Sequence, residues 1–137
     1  MAGYSATSLP KKLGLKEGGT IVLVNAPKEF AQELAPLPAR AEISTRARSE
    51  MGLVLLFVSN RNELAERFGT LAAKLDPAGM LWVAWPKRAS GVSTDLTEGI
   101  VRAVGLAAGL VDTKICAVNN VWSGLKFVIR LKDRPRH

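Results

Sequence analysis

Cationic and hydroxyl side chains cluster in a loop that follows an apolar, tryptophan-containing segment. The segment 80–85 reads as a buried strand, and Pro86 ends it because proline cannot donate a hydrogen bond to a sheet. The next eight residues, 87–94, contain two cations, three hydroxyls and a glycine, and they precede Asp95. A loop of this kind ahead of a helix suits a small anion, since the N–H groups at a helix start carry partial positive charge. The candidate anion ligands in the loop are Lys87, Arg88, Ser90, Gly91, Ser93 and Thr94.

The sequence offers no recognisable catalytic constellation. His137, the only histidine, is the last residue, so a Ser-His-acid triad is not expected. Cys116, the only cysteine, lies in an apolar segment without a histidine partner, which favours a structural thiol over a nucleophile. Neither a Walker-type loop nor a zinc-ligand spacing is present. The residues therefore favour a protein without catalytic activity but leave open an enzyme of unfamiliar type, whose pocket borrows groups from a second copy of the chain. No cofactor can be named from the sequence.

Length and composition indicate one folded domain across residues 1–137. The chain is 47% apolar and 23% charged, which is typical of globular proteins. Its apolar runs are too short to span a bilayer, so we expect no membrane partner. Its start lacks a signal-like segment and it has a single cysteine, so we expect a cytoplasmic protein. Residues 86–137 carry nine Lys or Arg against four Asp or Glu, so the net charge of +7 is concentrated there. This basic half indicates either attraction to anions or a solvated surface.

Apolar runs and helix-start signatures alternate along the chain. The predicted strands before the hairpin described below are residues 20–25, 41–45, 52–58 and 80–85. Continuous apolar runs of this kind are typical of parallel strands that are buried on both faces. Asn60 with Glu63 forms a capping box that predicts the start of a helix, and Asp95 with Glu98 predicts the start of another. Residues 76–79 predict a turn.

Two further strands, 113–118 and 125–131, are predicted to form a C-terminal hairpin around the turn residues 119–124. The expected fold class is therefore α/β, a three-layer Rossmann-like, mostly parallel sheet with a C-terminal antiparallel hairpin. We divide the single domain into an N-terminal arm, a core and a basic tail. Their ranges are 1–19, 20–131 and 132–137.

Over residues 20–131 this order of elements resembles the class I S-adenosylmethionine-dependent methyltransferase fold, with one strand and one helix fewer. The resemblance implies a methyltransferase-like fold and, as one function, a divergent S-adenosylmethionine-dependent methyltransferase. In that family the first strand leads into a glycine-rich turn, and an acidic residue near the end of the second strand holds the ribose hydroxyls. Here these positions hold Asn25-Ala26-Pro27-Lys28 and Ser44 or Thr45.

Several short segments carry a second resemblance, which spans most of the chain. They are Gly3-Tyr4-Ser5, residues 11–16, Trp82-Val83-Ala84-Trp85-Pro86-Lys87, Ser90-Gly91-Val92, residues 94–98 and Trp122-Ser123-Gly124-Leu125. Together they resemble an uncharacterised bacterial family known only as a domain of unknown function. The resemblance implies no catalytic or binding role for any residue.

Ligands of open α/β sheets bind beyond the carboxyl ends of the strands. Asn25 and Ser59 directly follow predicted strands, so we expect them at that edge. If the last strand pairs antiparallel with the strand of Trp85, Trp122 comes to the same place, where each indole either stacks on a ligand ring or closes the end of the sheet. The predicted ligand-binding residues are Asn25, Ser59, Trp85, Lys87, Arg88, Ser90, Gly91, Ser93, Thr94, Trp122 and Ser123.

Two functional classes follow from these observations. The first is a noncatalytic Rossmann-like binding module that takes a small anionic or nucleotide-like ligand, or a peptide of a protein partner, at the carboxyl edge of its sheet. The second is a nucleic-acid-binding protein, whose affinity would fall steeply with salt. The cations predicted for the second class are Lys11, Lys12, Lys126, Arg130, Lys132, Arg134 and Arg136.

Overall fold

The computed structural model describes residues 7–134, so the Gly3-Tyr4-Ser5 motif, Arg136 and His137 lie outside the described residues. The α-helices of this range are α1 (Leu9–Leu13), α2 (Arg61–Ala73) and α3 (Glu98–Ala107). The strands are β1 (Thr20–Val24), β2 (Glu42–Ser44), β3 (Met51–Phe57), β4 (Leu75–Pro86), β5 (Leu110–Ala117) and β6 (Trp122–Ile129). Short 3₁₀ segments occupy Phe30–Leu34, Arg88–Ser90 and Leu131–Asp133. Within residues 7–134, no helix has the length and apolar character needed to cross a membrane.

The strands form one mixed sheet in the order β2-β1-β3-β4-β6-β5. The pairs β1–β2, β1–β3 and β3–β4 are parallel, whereas β6 runs antiparallel to both β4 and β5. Chain order reverses between β1 and β3, because the chain goes outward to β2 before it returns to β3. The predicted α/β class, a mostly parallel sheet with a C-terminal antiparallel hairpin, is confirmed.

Helical segments cover both faces of the sheet, which gives three layers. Successive residues of a strand point to opposite faces. In β4, Val83 and Trp85 belong to the core beneath α2 and α3, whereas Trp82 and Ala84 belong to the core beneath α1 and the segment Phe30–Leu34. We call these two sides the α2/α3 face and the α1 face.

The indole of Trp82 fastens α1 to the sheet. Trp82 is fully buried, and its Nε1 donates a hydrogen bond to the carbonyl oxygen of Leu13 at 2.9 Å. A buried N–H without a partner costs about 1–3 kcal/mol, so this bond also satisfies the only polar atom of the side chain. Leu13 and Leu15 of the N-terminal arm are buried in the same core.

The predicted capping box starts α2. Oδ1 of Asn60 accepts a hydrogen bond from the backbone N–H of Glu63 at 2.8 Å. Oε1 of Glu63 in turn accepts from the backbone N–H of Ser59 at 2.9 Å. The first bond satisfies one of the N–H groups that a helix start leaves without an intrahelical partner. The second satisfies the N–H of Ser59, which lies just before the helix.

The predicted cap of α3 is wrong by two residues. Thr97, rather than Asp95, precedes the helix, and its Oγ1 accepts from the N–H of Ile100 at 3.2 Å. Oδ1 of Asp95 instead accepts from the backbone N–H of Arg61 at 2.9 Å, so the carboxylate caps α2 from outside that helix. The loop before α3 is thus tied to the start of α2.

Close backbone approach sets how α3 sits on the sheet. Val101 and Gly105 face the core, while Ala107 is exposed. A Cβ atom at Gly105 would overlap the ring of Phe127, a fully buried residue of β6. Phe127 also meets Phe68 of α2 edge to face, with ring centroids 5.2 Å apart. The glycine therefore lets α3 rest directly on an aromatic ring.

The predicted turn at 76–79 lies inside a strand. In the pairing of β3 with β4, Leu75 is opposite Met51 and Met80 is opposite Leu53, so the residues between them bulge from the ladder. Oδ1 of Asp76 accepts from the N–H of Ala78 at 2.8 Å, which is the local turn bond that the sequence signals. The turn chemistry was correctly predicted, but the strand continues on both sides of it.

The hairpin strands begin and end earlier than predicted. Oδ1 of Asn119 accepts from the N–H groups of both Val121 and Trp122 at 2.9 Å, which closes the turn before Trp122. Trp122 to Gly124 therefore belong to β6. Gly124 pairs with Ala84, and a Cβ atom there would lie 3.2 Å from Cε3 of Trp82.

Candidate functional site

A cleft of 710 Å³ opens at the carboxyl end of β4 on the α2/α3 face. We call it the β4 cleft. Trp85 lies at its base and is only 5% exposed, and Ser123, the residue opposite Trp85 in β6, lies beside it. The cleft is lined by Trp85, Pro86, Lys87, Arg88, residues 91–98, Ile115 and Ser123. Seven predicted residues are among these: Trp85, Lys87, Arg88, Gly91, Ser93, Thr94 and Ser123.

The charges of the β4 cleft are unequally neutralised. Two carboxylates line it, but Asp95 accepts the Arg61 N–H, and Glu98 forms an ion pair with Arg102 at 2.6 Å. No ion pair within residues 7–134 involves Lys87 or Arg88. The partner of Asp95 is a neutral N–H, so the unpaired charges of the cleft are two cations and one carboxylate, an excess of one positive charge.

Backbone-directed hydrogen bonds hold the loop that carries these cations. The N–H of Lys87 donates to the carbonyl oxygen of Val121 at 2.7 Å, which ties the loop to the hairpin turn. Oγ of Ser90 donates to the carbonyl oxygen of Lys87 at 2.7 Å and accepts from the N–H of Val92 at 3.1 Å. Ser90 does not line the cleft, so its hydroxyl serves the loop and not the predicted anion site.

The rim of the β4 cleft is apolar. Val92 is 44% exposed and Ile115 is 48% exposed, although both are large hydrophobic residues. Thr94 also lines the cleft, and its Oγ1 accepts from the N–H of Leu96 at 3.0 Å. Cations and exposed apolar groups in one cleft suit a ligand that has both an anionic and an apolar part.

Trp122 does not share the cleft with Trp85. It lies opposite Pro86 in the β4–β6 register, so its side chain points to the α1 face. There its ring meets that of Phe57 edge to face, with centroids 5.0 Å apart. The predicted pairing of the two segments is correct, but a pocket flanked by both indoles is wrong because adjacent strand positions face opposite sides of the sheet.

Asn25 and Ser59 lie at another part of the carboxyl edge, between β1 and β3. The backbone of Asn25 has a left-handed φ of 61°, and its Nδ2 donates to the carbonyl oxygen of Phe57 at 2.9 Å and to Oε2 of Glu63 at 3.2 Å. Glu63 also holds the N–H of Ser59. The side chains of Asn25 and Glu63 thus bridge the crevice where strand order reverses. This crevice is where open α/β sheets usually bind ligands. Neither Asn25 nor Ser59 joins the β4 cleft.

The residues at the β1 edge do not fit S-adenosylmethionine. The cavity there has a volume of 310 Å³ and is lined by Leu23, Asn25, Ala26, Pro27, Lys28, Ala31 and Thr45. Asn25 supplies the left-handed backbone that glycine usually provides, but its side chain extends across to β3. The lining includes no carboxylate for the ribose hydroxyls, and Lys28 adds a cation next to a cofactor that itself carries a sulfonium charge.

Catalytic groups are sparse in the part of the chain that the structure describes. Residues 7–134 contain no group of three or more His, Cys, Asp or Glu able to hold a metal ion. Cys116 is half-buried, and burial raises the pKa of its thiol, against which Lys12, Lys114 and Lys126 act through their positive charges. A thiol with a raised pKa is a weak nucleophile at neutral pH.

Comparisons with solved structures show the fold. An S-adenosylmethionine (SAM)-dependent methyltransferase from Aquifex aeolicus has a TM-score of 0.61 and 13% identity, with 88% of this chain and 87% of that chain covered. A TehB-like SAM-dependent methyltransferase from Corynebacterium glutamicum has a TM-score of 0.55 and 9% identity, with 94% and 91% covered. The methyltransferase-like fold is thereby confirmed. At these identities the similarity shows the fold alone.

No family model matches the chain, and no curated protein sequence is significantly similar to it. The resemblance to an uncharacterised bacterial family therefore stays a prediction.

Proposed function

We propose that this protein is a noncatalytic, methyltransferase-fold binding protein that takes a small phosphorylated, nucleotide-like ligand in the β4 cleft. Lys87 and Arg88 would hold the phosphate. The rim residues Val92 and Ile115 would contact the ring of the ligand. Fold alone does not decide chemistry, since the same fold carries different functions through its sites.

One observation carries this proposal. The cleft has two cations, Lys87 and Arg88, without an ion pair within residues 7–134, against one carboxylate without an ion pair, Asp95, because Glu98 is paired with Arg102. Charge-assisted hydrogen bonds to phosphate are about twice as strong as neutral ones. An anionic ligand would therefore complete the electrostatics of the cleft.

Thermal unfolding with adenosine monophosphate, ribose 5-phosphate and inorganic phosphate tests the proposal. A ligand at 100 times its dissociation constant adds about 2.7 kcal/mol to the free energy of unfolding. We expect the largest shift with adenosine monophosphate, because only this probe has an aromatic base for the apolar rim. The double variant Lys87→Gln/Arg88→Gln should weaken binding at least about tenfold, since each charged hydrogen bond contributes about 1.5–3 kcal/mol.

A double variant on α2, Arg67→Gln/Lys74→Gln, removes the same charge away from the cleft and is the matched control. It should retain the full ligand-induced shift. The proposal fails if none of the three probes shifts the unfolding transition, or if the cleft variant and the α2 variant respond alike.

A divergent S-adenosylmethionine-dependent methyltransferase is the second candidate, and the fold similarity is the observation that favours it. Titration calorimetry with S-adenosylmethionine separates the two. Under this candidate the wild type binds the cofactor, Ala31→Trp abolishes binding by filling the β1-edge cavity, and Lys87→Gln/Arg88→Gln leaves it unchanged. We expect instead no binding by the wild type or by either variant, because the β1-edge lining has no carboxylate for the ribose hydroxyls and places the Lys28 cation there.

A further inference from the structure

The α1 face changes character beyond β4. Its apolar core lies over β1, β3 and β4, whereas β6 and β5 present lysines on the same face. Lys126 pairs with Trp82 in the β4–β6 register, and its Nζ lies 6.0 Å from the centroid of the Trp82 ring. Lys114 of β5 is directly opposite Lys126. Two cations are thus neighbours across the ladder.

The docked helix α1 brings a third cation to this place. Lys12 precedes Leu13, whose carbonyl oxygen is held by the Trp82 indole. Cys116 lies on the same face, since it pairs with Gly124 of β6 two residues from Lys126, and the charges of Lys12, Lys114 and Lys126 act to lower the pKa of its thiol. We call these three lysines the lysine patch.

The lysine patch has no acidic partner within residues 7–134. The ion pairs there are Arg40 with Glu17, and Arg102 with Glu98 and Asp112. Like charges directly opposite each other in a ladder destabilise the sheet. The protein therefore holds three cations together at a cost that a bound polyanion would offset.

We propose that the lysine patch binds the phosphate backbone of single-stranded nucleic acid. The net charge of +7 attracts a polyanion over a distance. The opposed lysines lie about 5 Å apart at Cβ, which suits successive phosphates of one strand better than the two strands across a major groove about 12 Å wide. Trp82 is fully buried beneath the patch, so bases cannot stack on it and the binding is independent of sequence.

Fluorescence anisotropy of the full chain with a labelled 20-nucleotide single strand of mixed sequence tests the proposal. Three lysines that each displace a counterion give a slope of log affinity against log salt of about −2, a loss of about twentyfold between 50 and 200 mM salt. The triple variant Lys12→Gln/Lys114→Gln/Lys126→Gln should bring the slope close to zero. The matched control Arg61→Gln/Arg67→Gln/Lys74→Gln, on the opposite face, should keep it.

Cys116 provides a second readout that needs no substitution. It is the only cysteine of the chain and lies within the patch, so a bound strand should slow its alkylation by iodoacetamide. Equal loss of affinity in both triple variants, or an unchanged alkylation rate at saturating oligonucleotide, would overturn the proposal. Polyglutamate of matched charge that displaces the strand with equal affinity would also overturn it, in favour of an acidic protein partner.

Discussion

The two faces of the sheet use neighbouring residues of the same strands but differ at their carboxyl ends. On the α2/α3 face, β4 ends in an open cleft beneath the loop that leads to α3. On the α1 face, the rings of Phe30, Phe57 and Trp122 close the end of the sheet, with successive centroids 4.8 and 5.0 Å apart. Position at the carboxyl edge is therefore insufficient to make a ligand site. The face to which each side chain points decides whether it lines a cleft or fills a core.

Coverage explains why the cleft is on one face only. The α2/α3 face is covered by helices of 13 and 10 residues, and a loop must cross the open end of β4 to reach the second of them. The α1 face is covered by two five-residue segments, and large aromatic side chains fill the space that longer helices would occupy. Edge-to-face aromatic pairs add about 0.5–1.5 kcal/mol beyond their area burial.

The largest expected effect is a loss of folding stability caused by a change on the α2/α3 face. Gly105→Ala places a methyl group where the ring of Phe127 lies, so α3 must move away from β6. Overpacking of this kind costs about 1–3 kcal/mol, and we expect the upper part of that range because Phe127 is fully buried. Urea denaturation measures the loss.

Gly99→Ala on the same helix is the control for propensity. A Cβ atom there meets only Oγ1 of Thr97, at 3.9 Å, so alanine fits without a clash. This variant should be as stable as the wild type or up to about 1 kcal/mol more stable. A Gly105→Ala protein that behaves like Gly99→Ala would show that α3 does not rest on the ring.

An intermediate effect is expected on the α1 face. Trp122→Ala removes the ring that meets Phe57, and because Trp122 is only partly buried the cost should be about 1–3 kcal/mol, less than the 3–5 kcal/mol of a fully buried tryptophan. Thermal unfolding gives the stability loss. The shift produced by a ligand of the β4 cleft should be unchanged, and a loss of that shift would contradict the separation of the two faces.

The smallest effect concerns the lysine patch and has the opposite sign. Lys114→Gln removes a like-charge pair with Lys126, so the free energy of unfolding should rise by about 0.2–1 kcal/mol at low salt. The gain should shrink in high salt, where surface charges are screened. Denaturation at two ionic strengths measures it; a salt-independent change would indicate that repulsion is not the cause.

Periodicity and local chemistry were sufficient to predict the scaffold of strands and helices. The apolar runs of β1 and β3 and the capping box at Asn60 were correctly predicted because each signal lies within a few residues. Antiparallel pairing of the last strand with the strand of Trp85 entered only as a condition, and the structure shows it. These features depend on backbone hydrogen bonding and burial, which the local sequence specifies.

The site was predicted only in part because tertiary contacts decide it. Turn residues at 119–124 suggested a long turn, but Asn119 closes a shorter one, which moves Trp122 into β6 and to the α1 face. Asp95 was predicted to cap α3, but its hydrogen-bond partner is the N–H of Arg61, 34 residues away. Lys12 and Lys126 are separated by most of the chain, and no local pattern predicts that they share a patch.

Gly124 affects the register in which β6 pairs with β4 during folding. The space above the Trp82 ring accepts a residue without a side chain, since even a Cβ atom would lie 3.2 Å from the ring. A slip of β6 by two residues would keep every side chain on its face but would bring Trp122 or Lys126 to this position, where neither fits. A slip of one residue would exchange the two faces. The close approach at Gly124 thus disfavours the two-residue slips, and the alternation of faces disfavours the one-residue slip, which preserves the arrangement on which both surfaces depend.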